Sequence, residues 1–179
     1  NPMGTHVPGD MIVEALKDLP EGCLFILDEA YSEFAPAASL PDLAITDTRV
    51  VRLRTFSKAY GMAGARVGYA MAEENLIKSF EKVRNHFGMN RLAQKAAFEA
   101  LSDNQWLLEM VKKVENGRQR IYKIAASNNL KSITSSTNFV AIDCGKDGNF
   151  ARKVLTELIS LGIFVRMPFV SPQDRCIRI

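Results

Sequence analysis

Cys23-Leu24-Phe25-Ile26-Leu27-Asp28 is an unbroken apolar run closed by a carboxylate. Continuous rather than alternating hydrophobicity is the pattern of a parallel strand buried on both faces. Working outward, the flanking sequence alternates helix and strand signals. On the N-terminal side, Asp10 can cap a short helix through Leu16, with Ile12, Ala15 and Leu16 on one face. On the C-terminal side, Val50 to Leu53 reads as a second strand. A third spans Arg66 to Ala72, after the glycine-bearing turn Tyr60-Gly61-Met62-Ala63-Gly64. The opening Asn1-Pro2-Met3-Gly4-Thr5 is turn chemistry. These signals predict an α/β fold, with a mostly parallel sheet and helices.

The middle of the chain is helical. Glu74 to Phe87 carries Leu76, Phe80 and Val83 on one side, and Gly88-Met89-Asn90 breaks it. Asn90 caps a helix from Arg91 to Leu101. Asn104 caps a longer one to about Ser127, with Leu107, Val111, Val114 and Ile121 as its inner stripe. Its basic residues, Lys112-Lys113 and Arg118 to Lys123, read as a solvated face. The rhythm then changes. A strand at Asn138 to Cys144, a helix at Asn149 to Leu161 stopped by Gly162, and strands at Ile163 to Met167 and Arg175 to Ile179 describe a small α+β unit. The expected division is 1–112 and 113–179, with no repeat or low-complexity linker.

Composition excludes several classes. The 179 residues are 47% hydrophobic and 24% charged, with a net charge of +3, which is globular and too near balance to imply nucleic acid or a membrane surface. Cys23, Cys144 and Cys176 are odd in number and widely spaced, as buried reduced thiols would be. His6 and His86 stand far apart with no cysteine near them, so no metal site is expected. No apolar run approaches the roughly 20 residues that span a bilayer, and a cytoplasmic setting is expected.

The chemistry-bearing residues lie at the ends of predicted strands, where open α/β sheets bind ligands. Asp28 closes the first strand and Tyr31 follows three residues on. Thr55-Phe56-Ser57-Lys58 follows the second, and Arg66 stands eight residues beyond Lys58. Lys58 has small or apolar neighbours, as suits an amine nucleophile. Thr55, Ser57 and Arg66 offer two hydroxyls and a guanidinium, a phosphate cradle. Asp28, at a buried strand end, needs a cationic partner, and a protonated pyridine nitrogen is one. A phosphate, a pyridinium and an imine-forming amine together describe pyridoxal 5'-phosphate.

In order and spacing, Asn1-Pro2-x-Gly4, Asp28-x-Ala30-Tyr31, Ser57-Lys58 and Arg66 resemble the fold-type I aminotransferases of class I and II, which depend on pyridoxal phosphate. The stretch from Arg54 to Tyr69 and the closing Cys176-Ile177-Arg178-Ile179 are most similar to the histidinol-phosphate aminotransferase branch. The resemblance implies that Lys58 forms the Schiff base and moves the substrate proton. It implies that Asp28 keeps the pyridine nitrogen protonated, and that Tyr31 and Asn1 bind the ring's phenolic oxygen. Thr55, Ser57 and Arg66 would hold the cofactor phosphate. Arg178, rather than Arg175, would pair with the substrate carboxylate. Members of the family are about twice this length, so the chain is expected to be a C-terminal half: the second half of the cofactor-binding large domain (1–112) and a small domain (113–179). A homodimer acting on an amino acid and a 2-oxo acid is implied. Decarboxylation of an amino acid phosphate ester on the same scaffold, or a non-catalytic sensing domain, are the alternatives.

Overall fold

The computed structural model describes residues 1–179. They divide into two compact units, Val7–Val111 on one hand and Asn1–His6 with Lys112–Ile179 on the other. The expected division at 112 had assigned Asn1–His6 to the first unit. They pack instead with the second, where the Gly4 carbonyl accepts the Ser136 N–H at 2.7 Å.

In the first unit, α1 (Gly9–Lys17) precedes β1 (Phe25–Asp28), β2 (Val50–Thr55) and β3 (Gly68–Met71). The sheet order is β1-β2-β3. β1 and β2 run parallel, with Asp28 opposite Leu53, while β3 pairs antiparallel to β2, with Gly68 opposite Thr55. The parallel pair fits the apolar run that predicted it. Its expected cover on both faces does not hold, because burial alternates along β1 and Ile26 is 64% exposed. Asp10 is not the cap of α1; the cap is Pro8, two residues earlier, and the helix begins at Gly9.

α2 (Glu74–Phe80) ends about two turns before the expected Phe87. Its apolar stripe has nothing to pack on beyond that point: Val83 is 83% exposed and Phe87 97%. A helix that short gains little on its own. α3 (Arg91–Ser102) starts as expected, with the Ala93 N–H donating to Asn90 Oδ1 at 2.7 Å. It supplies Ala93 and Ala97 to a core completed by Phe56 and Val67, so the segment after β2 is seated on α3. α4 (Asn104–Ser127) is the long helix. Asp103 rather than Asn104 caps it, accepting the Trp106 N–H at 3.0 Å.

The second unit holds an antiparallel sheet of β4 (Lys131–Ser132), β5 (Ala141–Asp143) and β6 (Cys176–Arg178), in that order. The sequence reading missed β4 and made β5 too long. α5 (Gly148–Ser160) is capped by Asp147, whose Oδ1 accepts the Phe150 N–H at 2.9 Å. Gly162 stops the exit at φ +76°, as its position predicted. Ile163 to Met167 is not a strand; it contributes a single bridge from Arg166 to Arg178. The core of this unit is Ala125, Val140, Ile142 and Ile177. No helix is long and apolar enough to cross a membrane.

Candidate active site

Because β1 and β2 are parallel, their C-terminal ends meet on one edge of the sheet. The pairing continues past β1, where the Glu29 N–H donates to the Leu53 carbonyl at 2.9 Å. Beyond β2 the chain turns tightly: the Gly61 N–H reaches the Lys58 carbonyl at 3.0 Å and the Met62 N–H the Phe56 carbonyl at 2.9 Å. Phe56 and Ala59, both buried, anchor this loop on either side of Ser57-Lys58. Lys58 is half-buried, and its Nζ lies 5.3 Å from the centroid of the Tyr31 ring. The edge therefore brings together two of the expected residues, an amine and a phenol, from segments 27 positions apart in the chain.

Two adjacent carboxylates at this edge have opposite fates. Glu29 is buried and paired, accepting from Arg52 at 2.6 and 3.0 Å and from Arg54 at 3.1 Å. Asp28 makes no ion pair; its Oδ1 accepts the Ala30 N–H at 2.9 Å. The sequence reading expected Asp28 at a buried strand end. It is exposed in this chain, because the alternation along β1 turns it away from the covered face. Desolvation works against the Arg54 guanidinium, but Glu29, with smaller help from Tyr69 and Glu33, outweighs it and raises its pKa. Burial, together with Glu33 nearby, pushes the Tyr60 phenol up.

Thr55, Ser57 and Arg66, expected to bind a phosphate, lie at the end of β2 and just before β3. Thr55 Oγ1 accepts the Ser57 N–H at 3.0 Å, which leaves the threonine hydroxyl free to donate. Arg66 follows the single 3-10 turn Ala63–Ala65 in a left-handed conformation, φ 52° and ψ 49°. That conformation costs a non-glycine residue on the order of 1 kcal/mol. It carries the exposed guanidinium back to the Ala63 carbonyl, at 2.8 Å.

The second unit holds the other two expected residues. Asn1 is exposed; its Oδ1 accepts the Gly4 N–H at 2.8 Å and its Nδ2 donates to the Thr5 carbonyl at 2.5 Å. Gly4 adopts φ +85°, and a Cβ there would stand 2.7 Å from Ser135 Oγ, so no other residue fits the turn. Arg178 stacks its guanidinium on the Phe139 ring at 3.9 Å. Its Nε is buried with no hydrogen-bond partner, beside an apolar cavity of about 520 Å³ walled by Leu155, Phe164 and Phe169. A buried donor without an acceptor is costly, and a carboxylate or phosphate oxygen would satisfy it. Arg175, the weaker candidate, is committed to Asp143 at 2.9 Å. Burial raises the Asp143 carboxyl, but the Gly145 N–H and the Arg175 guanidinium prevail and hold it below the usual carboxylate range.

Two structural charges escaped the sequence reading. Arg118, expected on a solvated face, is buried and donates to the Ser135 and Thr137 carbonyls at 2.9 and 3.1 Å and to Glu115. Its signal was present, since 107, 111, 114, 118, 121 and 125 form one helical stripe. Glu29 was passed over beside Asp28. The alternation of Arg52 and Arg54 on the facing strand was the available hint.

Chemically, the sheet edge offers an amine, an uncommitted carboxylate, a phenol, two hydroxyls and a guanidinium. The sequence profile of the aminotransferase class I and II family matches residues 1–179. The chain belongs to that family. Histidinol-phosphate aminotransferase of Geobacillus sp. (strain WCH70) is 40% identical over 169 residues, covering 93% of this chain and 46% of that protein. Histidinol-phosphate aminotransferase 2 of Carboxydothermus hydrogenoformans is 40% identical over 183 residues, 100% of this chain and 50% of that one. The crystal structure of histidinol-phosphate aminotransferase from Sinorhizobium meliloti in complex with pyridoxal-5'-phosphate superposes with a TM-score of 0.96 at 50% identity, covering 100% of this chain and 50% of that one. The chain has the α/β fold of these aminotransferases and spans about half the length of the curated relatives it matches.

Proposed function

We propose that this chain supplies the lysine-bearing half of a pyridoxal-phosphate-dependent aminotransferase, which moves an amino group between an amino acid and a 2-oxo acid. The observation that carries the reading is the meeting of Lys58 and Tyr31 at the sheet edge where β1 ends in the unpaired Asp28. The donor set suits the cofactor. Lys58 would offer the amine for its aldehyde carbon, and Asp28 the carboxylate that would keep its pyridine nitrogen protonated. Thr55, Ser57 and Arg66 would bind its phosphate, and Tyr31 and Asn1 its phenolic oxygen. When bound, the cofactor supplies an electron sink for negative charge at the amino acid Cα.

The protein's own work is then proton handling and orientation. Lys58 would act as the base that takes the substrate's Cα proton, so that proximity and acid–base catalysis act together. Its half-buried position between Phe56 and Ala59 restricts the directions from which it can approach. Arg178 holds the substrate's anionic group, and its orphaned Nε supports that role. Histidinol phosphate is the amino donor that the matched relatives' names favour, and a homodimer is the expected assembly.

The test is an assay of the purified full-length enzyme with histidinol phosphate and a 2-oxo acid. The proposal expects one amino acid formed per donor consumed, without carbon dioxide. Carbon dioxide release from an amino acid phosphate ester would replace transfer with decarboxylation. Cofactor binding with no turnover of any donor would replace both with a sensing role.

A further inference from the structure

Glu29 stands between Asp28 and Tyr31, the two residues placed on the cofactor above, yet its carboxylate faces away from that chemistry. The side chain is 4% exposed. Arg52 grips it with a two-bond fork, Nη2 to Oε1 at 2.6 Å and Nε to Oε2 at 3.0 Å. Arg54 adds Nε to Oε2 at 3.1 Å and extends to Glu33 Oε1 at 3.7 Å. Arg52 and Arg54 are two apart on β2 and so share one face of the sheet. The Glu29 backbone is fixed as well, its N–H on the Leu53 carbonyl at 2.9 Å and its carbonyl accepting the Ser32 N–H at 3.0 Å, which closes the turn that carries Tyr31.

A buried ion cluster of this kind is a weak source of stability, because desolvation offsets most of the attraction. What a bidentate fork does fix is geometry. Arg54 directly precedes Thr55-Phe56-Ser57-Lys58, and Glu29 directly follows Asp28. The cluster thus ties the two chain segments together at the point from which both sets of site residues emerge.

We propose that Glu29 is a positioning residue, which through Arg52 and Arg54 sets the placement of Asp28 and Tyr31 relative to Lys58. The inference rests on the proposed function. Misplacing a catalytic group by a fraction of an ångström lowers the rate of the chemical step without touching substrate affinity.

Glu29→Gln tests this in the full-length holoenzyme, since it keeps the shape and removes the charge that holds the fork. The expected protein binds pyridoxal phosphate fully, loses about tenfold in kcat and keeps the amino-donor KM within about twofold. The ratio of the bound cofactor's two absorption bands also changes, because Tyr31 has moved. Wild-type kcat with a wild-type band ratio would overturn the proposal, and so would a rise in KM alone. If Glu29→Gln does not fold, Arg54→Lys replaces it: the charge stays, the Nε bond is lost, and the same readings decide. Borohydride trapping of the wild type separates the two layers. No label on Lys58 would refute the functional reading itself, whereas a label on Lys58 beside a silent Glu29→Gln would refute only the positioning role.

Discussion

Two polar regions of this chain dispose of their charges in opposite ways. Around Ser135–Phe139 the polar groups find partners. Arg118 holds two carbonyls, and Tyr122 Oη accepts the Ser135 N–H at 2.8 Å. Ser135 Oγ donates to the Phe139 carbonyl at 2.5 Å, and Gly4 closes the loop from the N-terminal turn. At the C-terminal edge of β1 and β2, by contrast, Asp28 and Lys58 enter no ion pair, although Glu29 one residue away enters two. Satisfied buried charges hold a backbone in place. Uncommitted charges at strand ends are available to a ligand. Burial alone would have ranked Glu29 above Asp28 as the functional carboxylate, and partnership reverses that order.

Substitutions should separate the two regions cleanly. The largest effect is expected from Lys58→Ala, with turnover lower by about 10³-fold or more. Its unfolding free energy should stay within about 0.5 kcal/mol of wild type in urea. Next comes Arg118→Ala, which strands the Ser135 and Thr137 carbonyls inside the fold. A loss of about 3 kcal/mol in urea unfolding is expected, with the cofactor absorption unchanged. If that variant were as stable as wild type, the loop would not depend on the guanidinium. Asp28→Asn should cost turnover about 10²-fold and leave the unfolding curve where it was, since the side chain is exposed. A shifted curve with full turnover would exchange the roles assigned to the two regions.

The smallest effect concerns pH. The Asp143 carboxyl is held below its ordinary 3.8 in the folded protein. Its contribution is therefore complete above that value and fades as pH falls through the lower folded one. Asp143→Asn should flatten part of the acid loss of stability when urea midpoints at about pH 5 and about pH 3 are compared. An unchanged slope would mean that the Arg175 pair contributes nothing in solution.

Much of the architecture was readable from local pattern. The apolar run ending at Asp28 located β1, Asn90 located the start of α3, and Gly162 the end of α5. The misjudged elements share one physical cause, which is that an apolar stripe specifies an element only where something covers it. Val83 and Phe87 are uncovered, and α2 stops at Phe80. Ile163 to Met167 has the composition of a strand and obtains one bridge. The family pattern placed Asp28, Tyr31, Thr55, Ser57, Lys58 and Arg66 in order along the chain. It carried no information about cross-strand register, and register is what pairs Glu29 with Arg52 and Arg54.

Borohydride reduction of the full-length protein loaded with pyridoxal phosphate, followed by peptide mapping, tests the central claim most directly. The account expects a single stable label on the peptide containing Ser57-Lys58-Ala59, absent from Lys58→Ala. A label on any other lysine, or one that survives that substitution, would contradict it.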